Sequence, residues 1–136
     1  MRRSKSNLLE HKVFIVDDDG ISAVYPLLLR LLQNVEHNKT HISLLYISPT
    51  KNYVFKEELE ILMRRFPTVF ISYFRSKPEQ EILETILNTN TMPNLYFYLS
   101  INKEWEIFIV DRLFFQGINP KNIQLIKCNS YKNETT

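Results

Sequence analysis

Five short apolar runs alternate along the chain with segments of helical period, and this alternation restricts the fold more than any other feature. The runs are Val13-Phe14-Ile15-Val16, residues 42–47, Val69-Phe70-Ile71-Ser72-Tyr73-Phe74, residues 95–99 and residues 123–126. The first is continuous rather than alternating, and the runs are rich in β-branched and aromatic residues. Such runs belong to strands buried on both faces. Between them lie amphipathic stretches. Leu27, Leu28, Leu31, Leu32 and Val35 recur at helical spacing, as do Leu59, Leu62, Met63 and Phe66, and then Ile82, Leu83, Ile86 and Leu87. No two runs are joined by a hairpin signal, so consecutive strands connect through helices and run parallel. The expected fold is α/β: an open, doubly wound, five-stranded parallel sheet with helices on both faces.

The helix boundaries follow from proline and glycine. Pro26 is expected in the first turn of the first helix, where its missing N–H costs least. Pro67 closes the second helix, Pro78 opens the third, which should reach residue 87, and Gly117 suits the C-terminal position of the last, over residues 105–115. With 136 residues there is room for one core. Residues 1–12 read as an N-terminal extension, 13–131 as a single domain and 132–136 as a frayed tail. Seventeen Lys and Arg against fifteen Asp and Glu leave a net charge of +2, too small an excess for a nucleic-acid binder. Charged residues interrupt every apolar run before membrane-spanning length, so no membrane segment is expected. The basic start Met1-Arg2-Arg3-Ser4-Lys5-Ser6 lacks the apolar stretch of a signal peptide, and the expected location is cytoplasmic. The single cysteine, Cys128, excludes an intrachain disulfide and any multi-cysteine metal or iron–sulfur site.

Candidate chemistry concentrates after the first strand. Asp17-Asp18-Asp19 lies at the carboxyl end of that strand, the edge on which open α/β sheets carry their ligand crevice. Carboxylates there suit helix capping. Asp17 and Asp18 are also the weak candidates for holding Mg²⁺. In either role they disfavour a second anion, because they repel a pyrophosphate where the helix dipole would attract it. With only Gly20 and Gly117, the chain cannot contain a GxGxxG fingerprint. His11, His37 and His41 lie near element ends and read as surface residues, and no Ser, Cys and His arrangement suggests a hydrolase. Cys128 reads as an inert thiol. The last helix is apolar all round, with Trp105, Ile107, Phe108, Ile109, Val110, Leu113, Phe114 and Phe115. Either the domain itself covers it, or a protein partner or a second copy does, with Trp105, Phe114 and Phe115 as the contact candidates.

Two resemblances follow from these residues. The opening Val16-Asp17-Asp18-Asp19 is similar to receiver domains of response regulators, but the phosphoacceptor position falls near Tyr73-Phe74-Arg75, where there is no Asp. Over residues 13–131 the chain resembles the C-terminal NAD(P)-binding domain of the ferredoxin–NADP reductase superfamily. Val13-Phe14-Ile15-Val16 with Gly20-Ile21-Ser22 is similar to that family's first strand and its Gly-Gly-Thr-Gly-Ile-Thr-Pro turn. Leu44-Leu45-Tyr46 with Phe55-Lys56-Glu57-Glu58-Leu59 is similar to its second strand and Phe-x-x-Glu-Leu helix start. Leu95-Tyr96-Phe97-Tyr98-Leu99 is similar to the strand ending in Cys-Gly-Pro, and Leu113 to Gly117-Ile118 to the closing Leu-x-x-x-Gly-Val. In the siderophore-interacting, ferric-reductase branch the first turn reads Gly-Asp-Glu-Thr-Ala-Leu-Pro, whose acidic pair Asp17 and Asp18 match.

The departures concern the cofactor. Asp17 and Asp18 replace two glycines, Ser100 and Ile101 replace Cys-Gly, and Pro49 stands near where many relatives carry Arg. The flavin barrel with its Arg-x-Tyr-Ser motif cannot be supplied by residues 1–12. The resemblance implies an oxidoreductase-related NAD(P)-binding domain that works with a separate flavin-bearing or iron-handling partner. NAD(P)H is the candidate cofactor, and no bound flavin, metal or iron–sulfur cluster is expected. Its binding residues would be Asp19, Gly20, Ile21, Ser22, Thr50, Lys51, Ser100 and Ile101, and no catalytic side chain is assigned. The alternative is a non-catalytic interaction module on a degenerate nucleotide-binding fold. A receiver-like domain without its phosphoacceptor is third.

Overall fold

In a computed structural model, the structure describes residues 10–33, 40–75 and 94–127. Five strands form one parallel sheet: β1 (Glu10–Val16), β2 (Thr40–Ile47), β3 (Val69–Phe74), β4 (Asn94–Ser100) and β5 (Ile123–Leu125). Their order across the sheet is β3-β2-β1-β4-β5. Three helices are described: α1 (Gly20–Leu32), α2 (Lys56–Arg65) and α3 (Lys103–Phe115). The strand order reverses between β1 and β4, and that switch point is where such sheets open a crevice at their carboxyl edge.

The sheet separates two apolar layers, and the two-residue period of β1 feeds both. Phe14 and Val16 point to one layer with Val24, Leu28, Leu44, Tyr46 and Leu59, beneath α1 and α2. Val13 and Ile15 point to the other with Leu45, Ile47, Phe97, Leu99, Ile109 and Leu113, beneath α3. Val13 to Val16 are all at most 1% exposed, which is why the run carries no alternation.

Several sequence expectations shift. β1 begins at Glu10, so part of the expected extension belongs to the sheet, with Glu10, His11 and Lys12 paired to Thr40, His41 and Ile42. Those residues are polar, so an apolar-run criterion passes over them. Pro26 is not in the first turn but lies inside α1. It is tolerated because it and Ser22, whose carbonyl loses its partner, both face solvent. His11 and His41 are partly buried strand residues rather than surface loop residues: their rings meet edge-on at 6.4 Å and His11 Nε2 lies 2.7 Å from Ser43 Oγ. They sit at the amino edge of the sheet, opposite the crevice. The expected helix at 78–87, together with His37, Val35 and Cys128, lies outside the described residues.

α3 ends in a Schellman motif. The Gly117 N–H donates to the Phe114 carbonyl at 3.0 Å, and the Ile118 N–H to that of Leu113 at 3.0 Å. Gly117 has φ of +91°, the left-handed conformation that this ending requires. The all-round apolar character of α3 resolves into two faces. Ile109 and Leu113 are buried, and Trp105 and Phe108 pack against the same core. Ile107, Phe114 and Phe115 remain exposed. Trp105 is therefore a core-side residue, whereas Phe114 and Phe115 are not.

Candidate functional site

The carboxyl edge brings three turns together: the β1–α1 turn, the segment after β2, and the β4–α3 turn. Their link at the switch point is Asp17. Its backbone N–H donates to the Ser100 carbonyl at 3.2 Å, and its own carbonyl accepts from Ile21 at 3.0 Å. Its carboxylate Oδ1 accepts the Gly20 N–H at 2.8 Å. Burial raises the Asp17 pKa above the usual carboxylate range, hydrogen bonds from the backbone of Gly20, Asn102 and Asp19 oppose that rise, and the Asp19 charge adds to it. Asp17 thus caps α1 from inside the fold, while Asp19, the residue at the N-cap position, makes no capping bond with its side chain. The N-terminus of α3 has its own cap, the Trp105 N–H donating to Asn102 Oδ1 at 2.9 Å.

Gly20 is required by packing. A Cβ at this position would overlap the Ser100 carbonyl oxygen, so only glycine lets the first turn of α1 lie against the end of β4. Ser100 itself is 2% exposed, and its Oγ has no hydrogen-bond partner among the described residues. An unsatisfied buried hydroxyl is unusual in a native fold and marks a place where a polar partner fits.

Asp18 turns the other way. Ser48 Oγ donates to Asp18 Oδ2 at 3.0 Å, joining the β1–α1 turn to the end of β2. Ser48 is fully buried, and its hydroxyl also accepts the Asn52 N–H at 3.0 Å and lies 3.3 Å from Thr50 Oγ1. The Tyr46 hydroxyl accepts the Val54 N–H at 3.2 Å. Burial pushes its pKa up to about 12; the Val54 bond opposes that rise, and the neighbouring Asp18 carboxylate adds to it. The Ser48–Lys51 turn closes with a 3.0 Å bond from the Lys51 N–H to the Ser48 carbonyl. Lys51 has φ of +62°, a left-handed strain on the order of 1 kcal/mol for a residue with a Cβ.

The eight residues expected to bind nucleotide all lie on this edge, but burial divides them. Gly20, Ile21, Ser100 and Ile101 are buried, whereas Asp19, Ser22, Thr50 and Lys51 are exposed. Asp17 and Asp18 do not converge as a metal site would, since one is spent on backbone N–H groups and the other on Ser48. No group of three or more His, Cys, Asp or Glu side chains suited to a metal occurs among the described residues. Sequence reasoning missed the Tyr46 and Tyr53 hydroxyls. Tyr53 Oη donates to the Phe74 carbonyl at 3.0 Å. Nothing in the sequence distinguished them from ordinary core aromatics.

No protein-family model and no curated protein matches the sequence. Solved structures do match its fold. The CS-b5R domains of human Ncb5or in the NAD⁺ form superpose with a TM-score of 0.77 at 12% identity, over 92% of this chain and 39% of that one. The cytochrome b5 reductase domain of Ulva prolifera nitrate reductase gives 0.70 at 18%, over 87% and 49%. A ferredoxin NADP⁺ reductase from Neisseria gonorrhoeae with bound FAD and NADP gives 0.62 at 16%, over 91% and 58%. The chain therefore spans less than two thirds of each of these proteins. It has the fold of the NAD-binding domain of ferredoxin reductase-like proteins, the fold its residue order resembles.

Proposed function

We propose that this chain is the nucleotide-binding component of an NAD(P)H-dependent oxidoreductase system, and that it works with a flavin carried by another domain or protein. The observation that supports this best is the β1/β4 switch point, where the turns after β1, β2 and β4 meet on one edge of a sheet shared with reductases. The residues suit the two ends of a dinucleotide better than its middle. Ser22 and Thr50 offer exposed hydroxyls, and Ser100 holds an unspent one beneath the β4–α3 turn. At the pyrophosphate position, however, the Asp17 carboxylate already takes the N–H groups that would bind an anion. Binding should accordingly be weak, with Kd on the order of 0.1–1 mM. A bound nicotinamide would supply a hydride to the flavin. The chain's own work is to hold the two ends of the nucleotide and to orient the ring at the switch point.

Isothermal titration calorimetry with NADH and NADPH tests the reading. Saturable binding that weakens in Ser22→Ala and Thr50→Ala is expected. Absence of heat with both nucleotides at millimolar concentration would reject it. Gly20→Val is a poor probe, because the clash with Ser100 perturbs the fold itself.

A second reading, a non-catalytic interaction module, draws on two observations: the self-occupied N-terminus of α1, and the exposed Ile107, Phe114 and Phe115 on α3. It expects silence with both nucleotides and a partner protein or second copy on the α3 face.

A further inference from the structure

In open α/β sheets an acidic side chain at the end of the second strand accepts the adenosine ribose 2′-hydroxyl, and a basic one accommodates a 2′-phosphate. The end of β2 in this chain, Ile47-Ser48-Pro49-Thr50-Lys51, contains no acid of its own. The fold supplies one from elsewhere. Asp18, thirty residues earlier in the sequence, is docked on Ser48 through Oδ2 at 3.0 Å. Its Oδ1 is buried, and the Tyr46 hydroxyl lies against the same carboxylate, so the group is held as a fixed acidic side chain at the end of β2. Ser48 is fully buried and also held by the Asn52 N–H, so the anchoring hydroxyl is fixed in place.

We infer that Asp18, held on Ser48, is the residue that selects NAD(H) over NADP(H). The inference rests on the nucleotide reading above. A ribose 2′-hydroxyl is neutral and can approach this edge without electrostatic cost, whereas a 2′-phosphate brings negative charge toward the partly buried Asp18 carboxylate. Lys51 is the opposing charge on this edge, but it is exposed and its attraction is screened by solvent. The partly buried charge is screened less, so repulsion by Asp18 outweighs attraction by Lys51.

The test is titration of the chain with NADH and with NADPH at low salt, on the wild type, Asp18→Asn, Ser48→Ala and Lys51→Ala, with circular dichroism confirming that each variant is folded. The wild type should bind NADH about tenfold more tightly than NADPH. Asp18→Asn should shrink the ratio, chiefly by improving NADPH binding, and Ser48→Ala should shrink it in part. Lys51→Ala should weaken NADPH binding alone. Raising the salt concentration should widen the wild-type ratio without any substitution, because the exposed Lys51 is screened before the partly buried Asp18, which keeps the idea testable if Asp18→Asn fails to fold. Equal or tighter NADPH binding by the wild type, or an unchanged ratio in folded Asp18→Asn, overturns the selection and leaves the nucleotide reading intact. No binding of either nucleotide to any variant overturns both.

Discussion

Single side chains at the carboxyl edge do structural work that sequence alone assigned to a ligand. Gly20 looked like the residue that lets backbone approach a nucleotide, yet the Ser100 carbonyl fills the space beside it. Gly20→Ala should therefore destabilise the domain by about 3 kcal/mol, because the obstacle is backbone and cannot swing aside. Urea denaturation checks this, and a loss under 1 kcal/mol would mean that β4 and α1 separate easily. His11 gives a second residue-scale expectation. Burial, with a smaller contribution from His41, lowers its pKa to about 4 from the ordinary 6.5. The folded state then resists protonation that the unfolded chain accepts, so stability is full above pH 6.5 and falls as pH drops toward 4. Because the ring is partly exposed, the loss should be only about 1 kcal/mol. Denaturation midpoints for wild type and His11→Asn should diverge across that window, and parallel pH profiles would show that His11 is not responsible. The acidic triplet shows where residue-scale legibility stopped. Its position at the end of a strand was readable, but the choice of Asp17 for Gly20 and Asp18 for Ser48 depends on neighbours far away in sequence.

At the scale of elements the sequence was more informative, since the strands centre on apolar runs and α1 and α2 each carry one apolar stripe, while α3 reads as apolar all round. The errors fall where polarity or sterics are resolved by tertiary position. Residues 10–12 are polar and still pair on both sides, because the neighbouring strands offer backbone partners regardless of side chain. Pro26 was assigned to a first turn on propensity, yet α1 runs through it because burial of Ile21, Val24, Leu28 and Leu32 on one face outweighs one missing hydrogen bond. Pro26→Ala should restore the bond to the Ser22 carbonyl and raise stability by about 1 kcal/mol, part of the gain being offset by the freer unfolded chain. Thermal unfolding of the variant reads this directly, and an unchanged or lower Tm would mean that α1 has adapted its geometry to the proline.

For the molecule as a whole, strand order was the part least legible in the sequence. Apolar runs give the number and direction of strands, but whether β1 lies between β2 and β4 depends on which crossover covers which face. That order makes β1 the bond between the β2–β3 and β4–β5 halves, and Asp17, at its end, touches the β4–α3 turn while Asp18 touches β2. A dinucleotide across this edge would lie over both joints and away from the paired histidines at the opposite edge. Hydrogen exchange followed with and without saturating NADH should then show slowed amides at residues 18–22, 50–52 and 101–103, with none at His11 or His41. β1 amides from Phe14 to Val16, enclosed by two strands, should exchange only through global unfolding in either state, whereas the three-residue edge strand β5 should open locally. Unchanged exchange at all three turns with NADH would favour the interaction module, whose surface is the exposed apolar face at Phe114 and Phe115. Protection at all three turns would mean that a nucleotide bridges the two halves of the sheet despite the Asp17 carboxylate between them, leaving its adenosine and nicotinamide ends to supply the affinity.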